Sequence, residues 1–300
     1  MSAAAVQADF KATEGCSGDS GRLLRLRTRW LDFSPPCVMG VLNCTPDSFS
    51  DGGRFFAPDA AIEHAEQMLK AGAAVIDVGG ESTRPGAQPV AVEEELRRVI
   101  PVVEALVRRL GCVVSIDTVK PEVMRAACAA GAEWINDISG LRAPGAIQAA
   151  ADTGAGVCLM HMQGEPRTMQ QAPHYEDVVS EVHDYLQRRV AACEAGGIAR
   201  EHLCIDPGFG FGKNLQHNLD LLARLPELRI NDMPLLIGIS RKSMLGTLTG
   251  HPSDQRLAAG LAATALAVAG GANIIRTHDV AATRDAIQVA WGFVNARKAK

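Results

Sequence analysis

Residues 113–138 read VVSIDTVKPEVMRAACAAGAEWINDI. The apolar run 113–116 has strand length, is rich in Val and Ile, and ends on Asp117. Pro121 sits where a helix opens, because its missing N–H and fixed φ suit the first helical position, and Gly131 supplies the stop. A second apolar run, 134–138, follows and carries Asn136-Asp137. Strand, helix and strand in that order make a βαβ unit, whose strands pair in parallel through a right-handed crossover.

The same unit recurs in both directions. Apolar runs lie at 38–42, 74–78, 113–116, 134–138, 157–160, 203–205, 235–239 and 273–275, eight in all. Between the first two, Pro58-Asp59 opens a helix with the stripe Ile62, Ala65 and Leu69, and Gly72 ends it. Leu96, Val99, Ile100, Val103 and Val107 keep the helical period of the next, which stops before Gly111 and carries Pro101, expected to kink it. A helix over 175–195 stops at Gly196-Gly197, and one over 280–296 closes the chain. Eight strands alternating with helices predict an α/β fold, a single-domain (β/α)8 TIM barrel over 22–300. The alternative, an open doubly wound sheet, calls for a G-x-G-x-x-G turn after its first strand, and Asn43-Cys44-Thr45-Pro46-Asp47 has no such glycines. Residues 1–21, rich in Ala, Gly, Ser and Asp without periodicity, read as a disordered lead-in.

A content of 47% hydrophobic but only 4% aromatic residues supplies a large aliphatic core, as a parallel sheet covered on both faces requires. Net charge −4 and a pI near 6.1 leave no electrostatic footprint for nucleic acid or an anionic membrane. The eight cysteines never form a C-x-x-C pair, which argues against a metal framework, and Cys158 and Cys204 fall in apolar runs. Free core thiols fit a reducing cytoplasm. No unbroken apolar stretch precedes the basic segment 22–29, so no secretory signal is expected, and no run approaches membrane-spanning length.

In a barrel the carboxyl ends of the strands share one bowl. Those ends read Asn43, Asp77, Asp117, Asn136-Asp137, His161, Asp206, Ser240-Arg241-Lys242 and Arg276-Thr277-His278. A capping role explains any single Asp or Asn, since both are turn formers, but not a ring of them around one opening. Asp117, Asn136 and Asp206 offer acceptors at separate points, which suits a flat heterocycle with several N–H groups, such as a pterin or guanine. Lys242, Arg276 and His278 add cations on late strands, where barrels often place phosphate. Two long loops at the same rim, 43–58 and 79–89, carry charge and glycine and read as functional covers.

The stretches Asn43-Cys44-Thr45-Pro46-Asp47-Ser48-Phe49-Ser50-Asp51-Gly52-Gly53, Asp77-Val78-Gly79-Gly80-Glu81-Ser82-Thr83-Arg84-Pro85-Gly86 and Asp206-Pro207-Gly208-Phe209-Gly210-Phe211-Gly212-Lys213 resemble the dihydropteroate synthase family. Ser115-Ile116-Asp117-Thr118, Ser240-Arg241-Lys242-Ser243 and Arg276-Thr277-His278-Asp279-Val280 extend the resemblance from about residue 38 to the end, with Cys44 standing where an apolar residue such as Val is expected. The resemblance implies a homodimeric barrel that joins a dihydropterin methyl diphosphate to p-aminobenzoate and releases diphosphate. It implies a pterin pocket at Asp117, Asn136, Asp206 and Lys242 with Arg276 lying along it, Phe211 as a further substrate-binding residue, and a diphosphate site at Asn43, Arg276 and His278, with Thr83 near it and Asn43 also reaching Mg²⁺. It places Phe49, Thr83, Arg84, Pro85 and Ser240 around p-aminobenzoate, where sulfonamides also bind. Asp51, Lys242, Arg276 and His278 are then the residues expected to act on the reacting groups.

That chemistry needs electrostatics more than a base. Diphosphate leaves well once its growing charge is neutralised, and a weakly basic aromatic amine then attacks the delocalised cation without deprotonation help. Two other classes remain in view. A Schiff-base aldolase would use Lys242 as nucleophile, although Arg241 beside it and the carboxylates opposite disfavour a desolvated amine. A non-catalytic pterin carrier would keep Asp117, Asn136 and Asp206 but has no need of Arg276 and His278. A metal hydrolase is weaker, because His161 ends its strand without an H-x-H or H-E-x-x-H partner.

Overall fold

The computed structural model describes residues 22–45, 58–82, 87–166 and 168–298. A short antiparallel hairpin, β1 (Leu23–Arg25) and β2 (Trp30–Asp32), comes first. The chain then alternates: β3 (Cys37–Asn43), α1 (Pro58–Lys70), β4 (Ala73–Gly79), α2 (Val92–Ala105), β5 (Val113–Asp117), α3 (Pro121–Ala129), β6 (Trp134–Asp137), α4 (Ala146–Thr153), β7 (Gly156–Met160) and α5 (Val178–Ala195). It continues with β8 (Leu203–Asp206), α6 (Leu215–Ala223), β9 (Leu236–Ile237), α7 (Ser243–Thr249), α8 (Leu257–Ala269), β10 (Ile274–Thr277) and α9 (Val280–Lys298). Strands β3 to β10 are all parallel, in the order β8-β7-β6-β5-β4-β3-β10-β9. A bridge from Ile205 in β8 to Leu235, just ahead of β9, closes the ring. This is the (β/α)8 barrel that the eight runs predict.

The period of two along each strand sorts its residues between two apolar layers. Val75, Val113, Trp134, Cys158, Cys204 and Ile274 point into the barrel and form its floor. Their neighbours Ile76, Val114, Ile135, Leu159, Ile205 and Ile275 point outward against the helices. Counting two residues up from the floor reaches Asp77, Asn136, Asp206 and Arg276, and counting four from Val113 reaches Asp117. The polar bowl thus sits directly on the apolar floor because both lie on one face of each strand. Asp137 falls on the other face, and the structure takes it out of the bowl: its carboxylate accepts from Ser139 N at 2.6 Å and Leu141 N at 2.9 Å, a turn cap.

The hairpin is an addition to what the strand count predicts. Leu24, Leu26, Leu31 and Phe33 pack under the floor, with Phe33 6.5 Å from Trp134 between ring centroids. Glu133 pins it by accepting from Thr28 Oγ1 at 2.8 Å and pairing with Arg29 at 2.9 Å. Alternation at 24, 26, 31 and 33 was the available signal, masked by the arginines between them. Helix α2 also departs from expectation. It runs as α-helix through Pro101 to Ala105, and the irregularity falls later, as a π turn over Leu106–Leu110. Among the described residues no helix is long and apolar enough to cross a membrane.

Candidate active site

Arg276, on β10, reaches across the bowl. Its Nε donates to Asp77 Oδ2 at 2.6 Å and its Nη2 to Asp117 Oδ2 at 2.7 Å. Asn136 Nδ2 donates to the same Asp77 oxygen at 3.1 Å. One guanidinium therefore ties β10 to β4 and β5, and Asn136 brings in β6. Burial alone would pull the Arg276 pKa down, but Asp77 and Asp117 outweigh it, so the guanidinium stays charged. Asp117 moves the other way: burial raises it to about 7, with Arg276 opposing and the carboxylates of Asp77, Glu95 and Asp137 adding to the rise. The sequence reading noted Asp77 at its strand end but assigned it no role. In the structure it is the buried counter-ion that orients Arg276.

Opposite this network, Asp206 ends β8 and accepts from Gly208 N at 2.7 Å through Oδ1, which leaves Oδ2 for a ligand. Burial raises its pKa, with Lys242 opposing. Lys242 follows β9 through Arg241, whose φ of 58° is left-handed and turns the two side chains apart. Arg241 leaves the bowl and pairs with Asp279 at 2.7 Å. Lys242 enters it, donates to the Phe209 carbonyl, and lies 4.5 Å from the Phe211 ring centre. Burial lowers its pKa to about 8. This corrects the sequence argument against a desolvated amine: Arg241 does not crowd Lys242, whose side chain is half-buried. What speaks against a Schiff-base role is that the ammonium is already held by a carbonyl and an aromatic face.

Ser240 and His278 stand side by side at the rim, Oγ to Nδ1 3.1 Å, and His278 N also donates to Ser240 Oγ at 3.3 Å. Asn43 ends β3 beside Gly79 and is half-buried. His161 proves to be a structural residue behind the bowl: its Nδ1 lies 2.9 Å from Lys213 Nζ, and its ring stacks edge-on against Tyr185. Burial lowers its pKa to about 2, so it is neutral. The candidates Phe49, Asp51, Thr83, Arg84 and Pro85 lie outside the described residues. Sequence reasoning missed a second ion cluster at the root of the second loop, where Lys120 bridges Glu81 and the fully buried Glu95. Glu95 carried no signal, because it reads as an ordinary first-turn helix acid.

The bowl is thus lined by acceptors (Asp117, Asp206), an amide (Asn136), two oriented cations (Arg276, Lys242) and a Ser–His pair. Residues 39–278 match the family described as pterin binding enzyme, which is the class that the barrel and its bowl define. The chain is 56% identical over 270 residues to dihydropteroate synthase of Escherichia coli strain K12, covering 90% of this chain and 96% of that one. It is 50% identical to that of Haemophilus influenzae, covering 91% and 99%. Among solved structures, Yersinia pestis dihydropteroate synthase with a sulfonamide drug complex superposes with a TM-score of 0.86 at 51% identity, covering 93% and 100%. The Burkholderia cenocepacia enzyme complexed with 7,8-dihydropteroate gives 0.83 at 51%, covering 92% and 97%. The chain belongs to the dihydropteroate synthase family, and it is a transferase.

Proposed function

We propose that this chain condenses 7,8-dihydropterin-6-ylmethyl diphosphate with p-aminobenzoate to give 7,8-dihydropteroate and diphosphate, and that carbon–oxygen cleavage comes first. The observation that carries this is the Arg276–Asp77–Asp117–Asn136 network facing Asp206 and Lys242. It presents acceptors to a pterin edge and keeps a guanidinium fixed in position before substrate arrives, so no reorganisation is needed as charge develops. Two structural neighbours support the substrates: a Xanthomonas albilineans dihydropteroate synthase structure holds 4-aminobenzoic acid, and the Burkholderia cenocepacia one holds 7,8-dihydropteroate.

In this proposal Asp117, Asn136 and Asp206 accept and donate at the pterin edge, and Phe211 covers the ring. Lys242 holds its charge against the pocket, and Arg276, through the Nη1 left over from its two ion pairs, and His278 draw off negative charge as diphosphate departs. Asp51 shields the resulting cation from water. Phe49, Thr83, Arg84, Pro85 and Ser240 surround the amine substrate, and a sulfonamide competes there. Mg²⁺ fits the donor set, because Asn43 brings one oxygen donor to the rim and this ion commonly takes few protein ligands with phosphate oxygens completing its shell. When bound, it supplies charge neutralisation on the diphosphate. A homodimer is supported by Leu248, Leu257, Leu266, Val289 and Phe293, large apolar side chains exposed on α7, α8 and α9. A cytoplasmic setting is supported by thiols such as Cys37 and Cys44, which burial pushes up to about 12 and keeps inert. The test is a diphosphate-release assay with and without p-aminobenzoate; absence of release with both substrates and Mg²⁺ present overturns the proposal.

A further inference from the structure

We propose that Lys213, with His161 as its partner, is a positioning residue for pterin binding: it fixes the 208–213 turn so that the Phe209 carbonyl and the Phe211 ring hold Lys242 in the bowl. The inference rests on the pterin reading above. Three glycines in this turn take left-handed φ: Gly208 at 69°, Gly210 at 78° and Gly212 at 61°. Such backbone passes close to the loop leaving β7, where a Cβ on Gly208 would lie 1.9 Å from His161 O, and one on Gly212 2.4 Å from Gln163 O. Alternating glycines permit that course but do not hold it, since glycine has more conformational freedom to lose than any other residue.

Lys213 adds a side-chain restraint across the turn. Its Nζ lies 2.9 Å from Gly208 O, 2.9 Å from Phe211 O and 2.9 Å from His161 Nδ1. The side chain is 3% exposed, and none of its hydrogen bonds goes to a carboxylate of the bowl. Burying an amine there is unfavourable unless its donors are used, and here all three positions are taken. The arrangement also survives a change of protonation. An ammonium donates to all three acceptors, with His161 protonated on Nε2. A neutral amine donates to the two carbonyls and accepts from His161 Nδ1–H. Other contacts fix the flanks: Asn218 Oδ1 accepts from Gly210 N at 2.7 Å, and Tyr175 OH donates to Gly212 O at 2.8 Å. Gly208 O also accepts from Phe211 N at 3.1 Å, and Lys213 is the side chain that joins this carbonyl to that of Phe211, beside the Phe209 carbonyl and the Phe211 ring that touch Lys242. The cluster therefore transmits position from the outside of the sheet to a cation of the bowl.

The experiment uses the full chain with dihydropterin methyl diphosphate as the calorimetric probe, plus steady-state kinetics and thermal melts. Variants are Lys213→Met, His161→Leu and His161→Asn, the last carrying an acceptor near the place of Nδ1. Lys213→Met and His161→Leu are expected to weaken pterin binding about tenfold or more, the order expected when a charge-assisted hydrogen bond is lost. The KM for the pterin substrate rises accordingly, the KM for p-aminobenzoate stays within about twofold, and His161→Asn recovers most of the affinity. A purely structural role moves the melting temperature without this split between substrates or this rescue. Wild-type protein that does not bind the probe removes the functional proposal together with this one. Wild-type binding matched by a folded Lys213→Met overturns this inference alone. Should Lys213→Met not fold, equal affinity in the two His161 variants overturns it.

Discussion

Arg276 and Asp77 form the innermost ion pair of the bowl, with Nε and Oδ2 2.6 Å apart and the carboxylate fully buried. The other oxygen, Oδ1, has no hydrogen-bond partner among the described residues. An unpaired buried acceptor is costly and is kept here by what it accompanies. Asp77 holds the guanidinium toward Asp117, and its negative charge is one reason Asp117 titrates late.

That late titration sets a pH dependence with a definite sign. Asp117 sits at about 7 in the folded chain against an ordinary 3.8, so the folded state binds its proton more tightly. Its contribution to stability is full below 3.8 and is lost as pH rises through 7. Pterin N–H groups need the ionised carboxylate, so pterin affinity runs the opposite way and increases over the same window. Melting and binding measured at about pH 5, 6, 7 and 8 should show both trends, and Asp117→Asn should flatten them. Parallel pH profiles in wild type and variant exclude this assignment.

Asp206→Asn should keep the fold and weaken pterin binding by about 1.5–3 kcal/mol, the value of a hydrogen bond to a charged group. The amide can still accept from Gly208 N through its oxygen, as Oδ1 does at 2.7 Å, so the turn survives while the second acceptor becomes a donor. Calorimetry returning wild-type affinity from a folded variant sinks the role.

Removing Mg²⁺ with a chelator should abolish turnover and leave the melting temperature nearly unchanged. The motive is ligand count: Asn43 is the one protein ligand expected for this ion, and Mg²⁺ commonly takes few protein ligands with phosphate oxygens completing its shell. A large fall in melting temperature on chelation would mean a structural metal instead.

Cleavage before attack is open to a positional isotope test. With the bridging oxygen of the pterin methyl diphosphate labelled and p-aminobenzoate withheld, reversible ionisation scrambles label into non-bridging positions. Asp51→Ala should then lower kcat more than it weakens binding of the diphosphate substrate. Absence of scrambling, with a rate that climbs steeply across more nucleophilic anilines, establishes concerted displacement.

The hairpin under the barrel carries stability and no chemistry. Phe33→Ala, which empties a site 1% exposed against Trp134, should cost about 3–5 kcal/mol while leaving both KM values in place. Unfolding curves and kinetics on the same preparation decide it, and a shifted KM refutes the separation.

How far the sequence carried depended on whether a residue's role was local. The eight parallel strands were legible because each apolar run is a self-contained signal, and Asp117, Asn136, Asp206 and Arg276 followed from their place at strand ends. Asp137 and His161 stood at the same ends and serve turns and loops instead. Facing is a matter of one residue in register, and run boundaries read from composition do not fix it. Asp77 was visible but its part was not, since an ion pair spanning 199 residues of chain has no sequence signature. Glu95 and Lys213 were opaque for the same reason: both are defined by what packs on them from other elements.

The hairpin has one more effect, on traffic. By packing Leu24, Leu26, Leu31 and Phe33 under the floor, it closes the lower end of the barrel and, among the described residues, leaves the rim as the way in and out. Whatever is seated against Asn136 and Asp206, 4% and 5% exposed, must leave past the half-buried Asn43 and His278 at the rim. Depth therefore fixes a queue: a fragment released at the rim stands in the exit of the ring below it, and it has to go first.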